Sequence, residues 1–413
     1  MRHILPLLFA GLALMLTGQT CVHRTAKQFD PVQVNFQATY NPDYENILYP
    51  SLVLGLASYH GDVKHHLFSY SVTSPKDHAV LRVVVDSSVL NYVTIEQEIL
   101  DKKGVTYTFY PMLKWKYENL YGLRQQGMVD ITFTCFINDE EVDVKNIRLN
   151  YRSVNECLLS LLDSEGKYVD YRWLFATYVN EDHPYINDIM SGALEQGTIS
   201  SFTGYQKGEE SVTKQVYALW HYVQKRGINY SSISCTSNPS KKSNSQHIRF
   251  FDEVYKSKQA NCIDACVFFA SIMRKIGLKP VIFVEPCHAY LGYYKDKNRK
   301  KLALLETTIT GWADLPSLER SVAPRTGRAS DAALAKVRKY VSDDEMERYK
   351  AGKMTLDELE HCITKTLFLK ASEYNIEQYK NNQRFFADSN SFTYQQLDIE
   401  SLRKVVQPIH RDE

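Results

Sequence analysis

Between Gln259 and Gly277 the chain writes a helix that has no place on a surface. Asn261 is a good N-cap, Gly277 is a good stop, and the residues between them are apolar over a wide face. A domain must therefore be built around this segment. Cys262 falls in its first turn. There the positive end of the helix dipole and the unpaired backbone N–H groups favour thiolate over thiol, and thiolate is the nucleophilic form. The same N–H groups can donate to an oxyanion formed on an attacked carbonyl. Asp264 reads as a structural residue bonding at the helix start, and Cys266, one turn deeper, reads as core. Gln259, three residues before the cysteine, is a supporting candidate for an oxyanion site, although its loop position leaves its direction open.

Strand-like runs follow at Pro280–Glu285, His288–Tyr294 and Lys301–Thr308, the last two separated by the polar turn Asp296-Lys297-Asn298-Arg299. A hairpin centred near Lys297 would make His288 and Glu306 cross-strand neighbours, close enough for the carboxylate to hold the imidazole. Cys262 would attack, His288 would take and return the proton, and Glu306 would orient the ring. Each residue also has a bland reading. Cysteine is commonly a small buried hydrophobe, and a strand glutamate commonly faces solvent. Leu304, Leu305 and Thr307 around Glu306 suggest burial instead, where an unpaired carboxylate is costly. His247 is a rival base only if its loop folds back. Cys262, Cys266, Cys287 and His288 include zinc-type ligands, but adjacent strand residues point to opposite faces and Cys-x-x-x-Cys on a helix is no usual zinc knuckle. No metal or other cofactor is expected.

The order of these elements resembles the transglutaminase-like superfamily, a papain-related group of thiol enzymes, in its exported bacterial form. The resemblance rests on Arg226-Gly227-Ile228-Asn229-Tyr230 after a helix, Cys262-Ile263-Asp264 at a helix start, Arg274-Lys275-Ile276-Gly277-Leu278 at its end, His288-Ala289-Tyr290, and Glu306-Thr307-Thr308. It covers about a quarter of the chain. It implies Cys262, His288 and Glu306 as nucleophile, base and orienting acid. The chain departs from the family in having Glu where Asp is more usual, and Ile263 where an aromatic residue often stands.

With 413 residues, 44% of them hydrophobic, there is material for two or three domains. Forty-nine basic against forty-eight acidic side chains leave +1, so no net field draws the protein to nucleic acid or anionic membrane. Residues 1–20 have the layout of a secretory signal peptide: Met1-Arg2-His3, an apolar run from Ile4 to Leu16, then small and polar residues. Cys21 stands where a bacterial lipoprotein carries its lipid, but Gly18 and Thr20 match a lipobox only in part, so anchoring at Cys21 and plain cleavage near Thr20 both stay open. A periplasmic, secreted or lipid-anchored envelope location is expected. Eight cysteines at irregular spacing do not define a disulfide framework; Cys135 and Cys157 read as a pair or as two buried thiols.

The expected fold class is α+β, a transglutaminase-like (papain-like) core preceded by a β-sandwich. Residues 21–50 read as a linker, 51–155 as an Ig-like sandwich, 156–316 as the thiol domain and 317–413 as a helical extension. Alternating runs at 79–85, 91–95, 129–136 and 145–151 carry the sandwich, with Trp115 as a core anchor. Cys157–Leu162, Trp173–Tyr178, Ser211–Arg226 and Asp357–Leu369 read as helical, and Ser231–Ser245 as a loop. The function expected is a thiol-dependent amide hydrolase or acyl transferase acting on a peptide or protein through a Cys262 thioester. A catalytically silent scaffold or surface-binding protein is the rival.

Overall fold

The computed structural model describes residues 34–409 apart from 60–65, 88–92, 232–239, 241, 389–390 and 392. The leader, Cys21, Asn91 and Tyr92 lie outside the described residues. Helices and several sheets are interleaved, so the class is α+β. No helix among the described residues is long and apolar enough to cross a membrane.

The N-terminal part holds a five-stranded sheet in the order Ile47–Leu48, Glu140–Tyr151, Gly127–Ile137, Ala79–Asp86 and Thr94–Leu100. Period-two alternation explains its faces: Val129, Ile131, Phe133 and Cys135 are buried, while the residues between them are more exposed. A three-stranded sheet of Phe36–Tyr40, Phe68–Thr73 and Thr106–Phe109 lies opposite. The Phe133 ring bridges the two, 6.0 Å from Phe68 and 6.4 Å from Tyr70. Trp115 packs on Phe68, a core role. The linker reading does not hold as far as residue 50. Phe36–Tyr40 is a strand, and buried Phe36, Tyr40 and Leu48 belong to the core.

Cys157–Leu162 is also corrected. Glu156–Leu162 is a strand, paired with Tyr168–Asp170 on one side and Ser243–His247 on the other. A short run of leucines carries no decisive period, and its two pairing partners, not its own propensity, make it a strand. Ser243–His247 likewise takes the end of the stretch read as a loop. Arg172–Leu174 forms a 3-10 turn leading into the Phe175–Tyr178 helix, and Gly208–Lys225 is the long amphipathic helix expected around Ser211–Arg226.

The helix that dominates the sequence runs from Cys262 to Lys275 and is buried along nearly its whole length. Gly277 follows it at φ 78°, the left-handed conformation that ends a helix. It packs against an antiparallel sheet in the order Leu302–Leu305, His288–Tyr294, Pro280–Glu285 and Gln395–Asp398. The hairpin centres on Asn298 rather than Lys297, with Leu291 opposite Leu305 and Tyr294 opposite Leu302. The fourth strand comes from the tail, which is thus not wholly helical. Helices Leu356–Glu373 and Ile376–Phe386 precede it, and the first lies against Leu302–Leu305.

Candidate active site

The first turn of the Cys262–Lys275 helix is fastened by a reciprocal cap. Asn261 Oδ1 accepts the Asp264 N–H at 2.9 Å, and Asp264 Oδ2 accepts the Asn261 N–H at 3.0 Å. Asp264 also accepts the Arg249 N–H at 2.8 Å and Arg249 Nη1 at 2.9 Å. Burial pushes the Asp264 carboxyl up, against the pull of those hydrogen bonds and of the Arg249 charge. Asn261 and Asp264 thus hold the turn on which Cys262 stands half-buried.

His288 opens the strand that crosses this helix, and Glu306 follows the next strand. The hairpin offset moves their pairing by two positions. An even shift keeps both side chains on one face, so they still meet. His288 Nε2 lies 2.9 Å from Glu306 Oε2, and the imidazole also hydrogen-bonds to Cys262. The three side chains form a continuous relay. Burial opposes a charge on His288, but the hydrogen bonds to Cys262 and Glu306, reinforced by their charges, outweigh it and raise the imidazole from its ordinary 6.5 to about 10.

Glu306 is wholly buried and fully engaged. Its Oε1 accepts the Thr308 N–H at 2.8 Å and the Thr308 hydroxyl at 2.6 Å, and its Oε2 accepts Asn375 Nδ2 at 2.7 Å as well as His288. Burial works against the carboxylate, yet the bonds from His288, Thr308 and Asn375 and the His288 charge leave it below its usual range. Asn375, fully buried where the tail turns into the Ile376–Phe386 helix, was not legible in the sequence. Neighbouring Glu285 is treated similarly: Gln378 and Asn382 of that helix donate to it. Burial pushes the Glu285 carboxyl up, with the His288 charge and those two donors opposing.

Cys262 and His288 open into a cleft of about 600 Å³, inside the roughly 300–1,000 Å³ range of ligand clefts. Leu159, Phe175, Ile263 and Val284 supply apolar walls; Ser160, Asn244, Gln246 and Arg172 supply polar ones. Gln246 lines this cleft, whereas Gln259 is exposed on a short strand beside Asn229 and is not among the lining residues. His247 is likewise not among them. Cys287 is on the tight turn before His288, at φ 62°, not on the strand, and it borders the same cleft. Cys135, Cys157, Cys262, Cys266, Cys287 and Cys362 are all free thiols. Cys266 is core, its thiol pushed well up by burial. Among the described residues no group of three or more His, Cys, Asp and Glu could hold a metal ion.

A thiol at a helix start, an imidazole bonded to it and a buried carboxylate behind the imidazole can together carry out nucleophilic attack with general acid–base assistance. A scan against models of known protein families found no match. A search of curated proteins found no relative.

Proposed function

We propose that this protein is an exported, transglutaminase-like thiol enzyme that hydrolyses or exchanges an amide bond of a peptide or protein. The observation that carries the proposal is the Cys262–His288–Glu306 relay, whose first two members line a cleft of about 600 Å³. Cys262 Sγ forms a bond to the amide carbon, and the resulting oxyanion collapses with loss of the amine, which leaves with a proton from His288. Water, deprotonated by His288, then attacks the thioester, releases the acid and restores the thiol. An amine acceptor in place of water gives transfer instead. Glu306 keeps the ring oriented and supports its positive charge throughout. The longer Glu arm is accommodated by the extra donors from Thr308 and Asn375.

The test is to trap the acyl-enzyme. The protein is mixed with a library of peptide and glutamine amides, quenched in acid, and its intact mass is read. A mass increment localised to Cys262, absent in Cys262→Ala, is the expected result. Amine release with no dependence on Cys262 removes the proposal, and finding neither an increment nor amine release with any amide removes it and leaves the silent scaffold.

A further inference from the structure

Glu285 is a second buried carboxylate beside His288, and the triad chemistry above does not use it. The residue is 5% exposed and stands directly opposite His288 across the Pro286-Cys287 turn. Directly opposed residues of an antiparallel pair send their side chains to one face. Glu285 therefore shares the face from which His288 reaches Glu306. The strand Gln395–Asp398 pairs no further than Val284, and the Ile376–Phe386 helix takes over at this corner. That helix meets both carboxylates with one stripe of amides. Asn375 at its N-cap, Gln378 and Asn382 are spaced by three and four residues, which sets them on a single face. Asn375 donates to Glu306, while Gln378 and Asn382 donate to Glu285, the latter at 3.4 Å.

All three donors are neutral, so they solvate the two charges without cancelling them. His288 is the cation that both carboxylates meet. Around the imidazole stand Cys262 from the helix start, Glu306 after the next strand, Glu285 on the preceding strand, and Tyr290 on its own strand with its ring 6.0 Å away. Burial and the Glu285 charge push the Tyr290 phenol up, so it stays uncharged. The His288 charge pulls the Glu285 carboxyl down against its burial. Such attraction is mutual: a charge that favours the ionised acid favours the ionised base equally. We propose that Glu285 is a positioning residue for the thiol reaction, supporting the His288 imidazolium alongside Glu306 while the tail helix keeps its carboxylate solvated. The imidazolium is the form that protonates the departing amine, so Glu285 extends its availability to higher pH. This inference rests on the thiol-enzyme reading above.

The experiment titrates the His288 ring by NMR with labelled histidine in wild type, Glu285→Gln and Glu285→Asp. Glu285→Gln keeps the shape and removes the charge, and it should lower the His288 midpoint by about one pH unit, the low end for an adjacent charge. Glu285→Asp keeps the charge and should recover most of that shift. A carboxylate that serves packing alone would behave otherwise. An unmoved or raised midpoint in Glu285→Gln, or an equal fall in both variants, would overturn the positioning role. If either variant misfolds, the wild type decides. Its His288 signal should show a second inflection where the Glu285 carboxyl carbon titrates, and a single inflection would overturn the role. The acyl-enzyme trap is run on the same wild-type preparation. An acyl-enzyme with an unshifted titration removes the Glu285 role and leaves the thiol-enzyme reading standing. A shifted titration with neither an acyl-enzyme nor amine release removes that reading, and the role in the reaction falls with it although the charge coupling stands.

Discussion

Asn375 shows most clearly what single residues do in this protein. Glu306 is a carboxylate with no access to water, and removing one of its donors leaves charge under-solvated in a low-dielectric site. Asn375→Leu should therefore lower stability by about 1–3 kcal/mol, read by urea unfolding. It should also raise the His288 pKa further, read by NMR titration of the imidazole, because a buried carboxylate with one donor fewer depends more on the imidazolium. An unchanged titration would show that Asn375 is only a packing residue. His288→Ala should reduce amide turnover by about 10²–10⁴-fold, measured in single turnover with saturating substrate. That Cys262, His288 and Glu306 come together was legible because each sits in a strong local context: an N-cap, a strand start, an apolar flank. Asn375 was not, since nothing local ties an asparagine at a helix junction to a carboxylate 69 positions earlier.

The Cys262–Lys275 helix was readable as an element, with its cap, buried face and stop all written in adjacent residues. Asn261→Ala should cost about 0.5–2 kcal/mol of stability and, by loosening the first turn, slow alkylation of Cys262. Thermal unfolding and a labelling time course check the two effects. The hairpin centre was misplaced from Lys297 to its true position at Asn298, because a polar turn of four residues admits more than one register. The triad contact survived only because the error was even in side-chain phase. Strand Glu156–Leu162 was misread because a leucine run becomes strand or helix according to what lies beside it, and its partners lie elsewhere in the chain. The tail strand Gln395–Asp398 is short and polar, with only Leu397 buried, so its pairing with Pro280–Glu285 had no sequence signal.

Across the whole molecule, the site is assembled from distant parts of the chain: the capped helix, the hairpin, and a tail that supplies Asn375 and an edge strand. Its charges should register in overall stability. His288 is raised from 6.5 to about 10, so its contribution is complete below pH 6.5 and is lost as pH rises through about 10. Glu306 is lowered from 4.5, so its contribution is complete above pH 4.5 and is lost as pH falls through its depressed value. The stability difference between wild type and Glu306→Gln should therefore be greatest between pH 4.5 and 6.5 and shrink on either side, as measured by denaturant unfolding across pH. The pairing of Cys262 with His288 is tested most directly by the pH dependence of Cys262 alkylation in wild type and His288→Ala, read by mass spectrometry. The expected result is a wild-type thiol that is alkylated faster than in His288→Ala at and below neutral pH, with a pH profile that changes when His288 is removed. The same rates and the same pH profile in wild type and His288→Ala would contradict it: Cys262 and His288 would then be neighbours without being a catalytic pair.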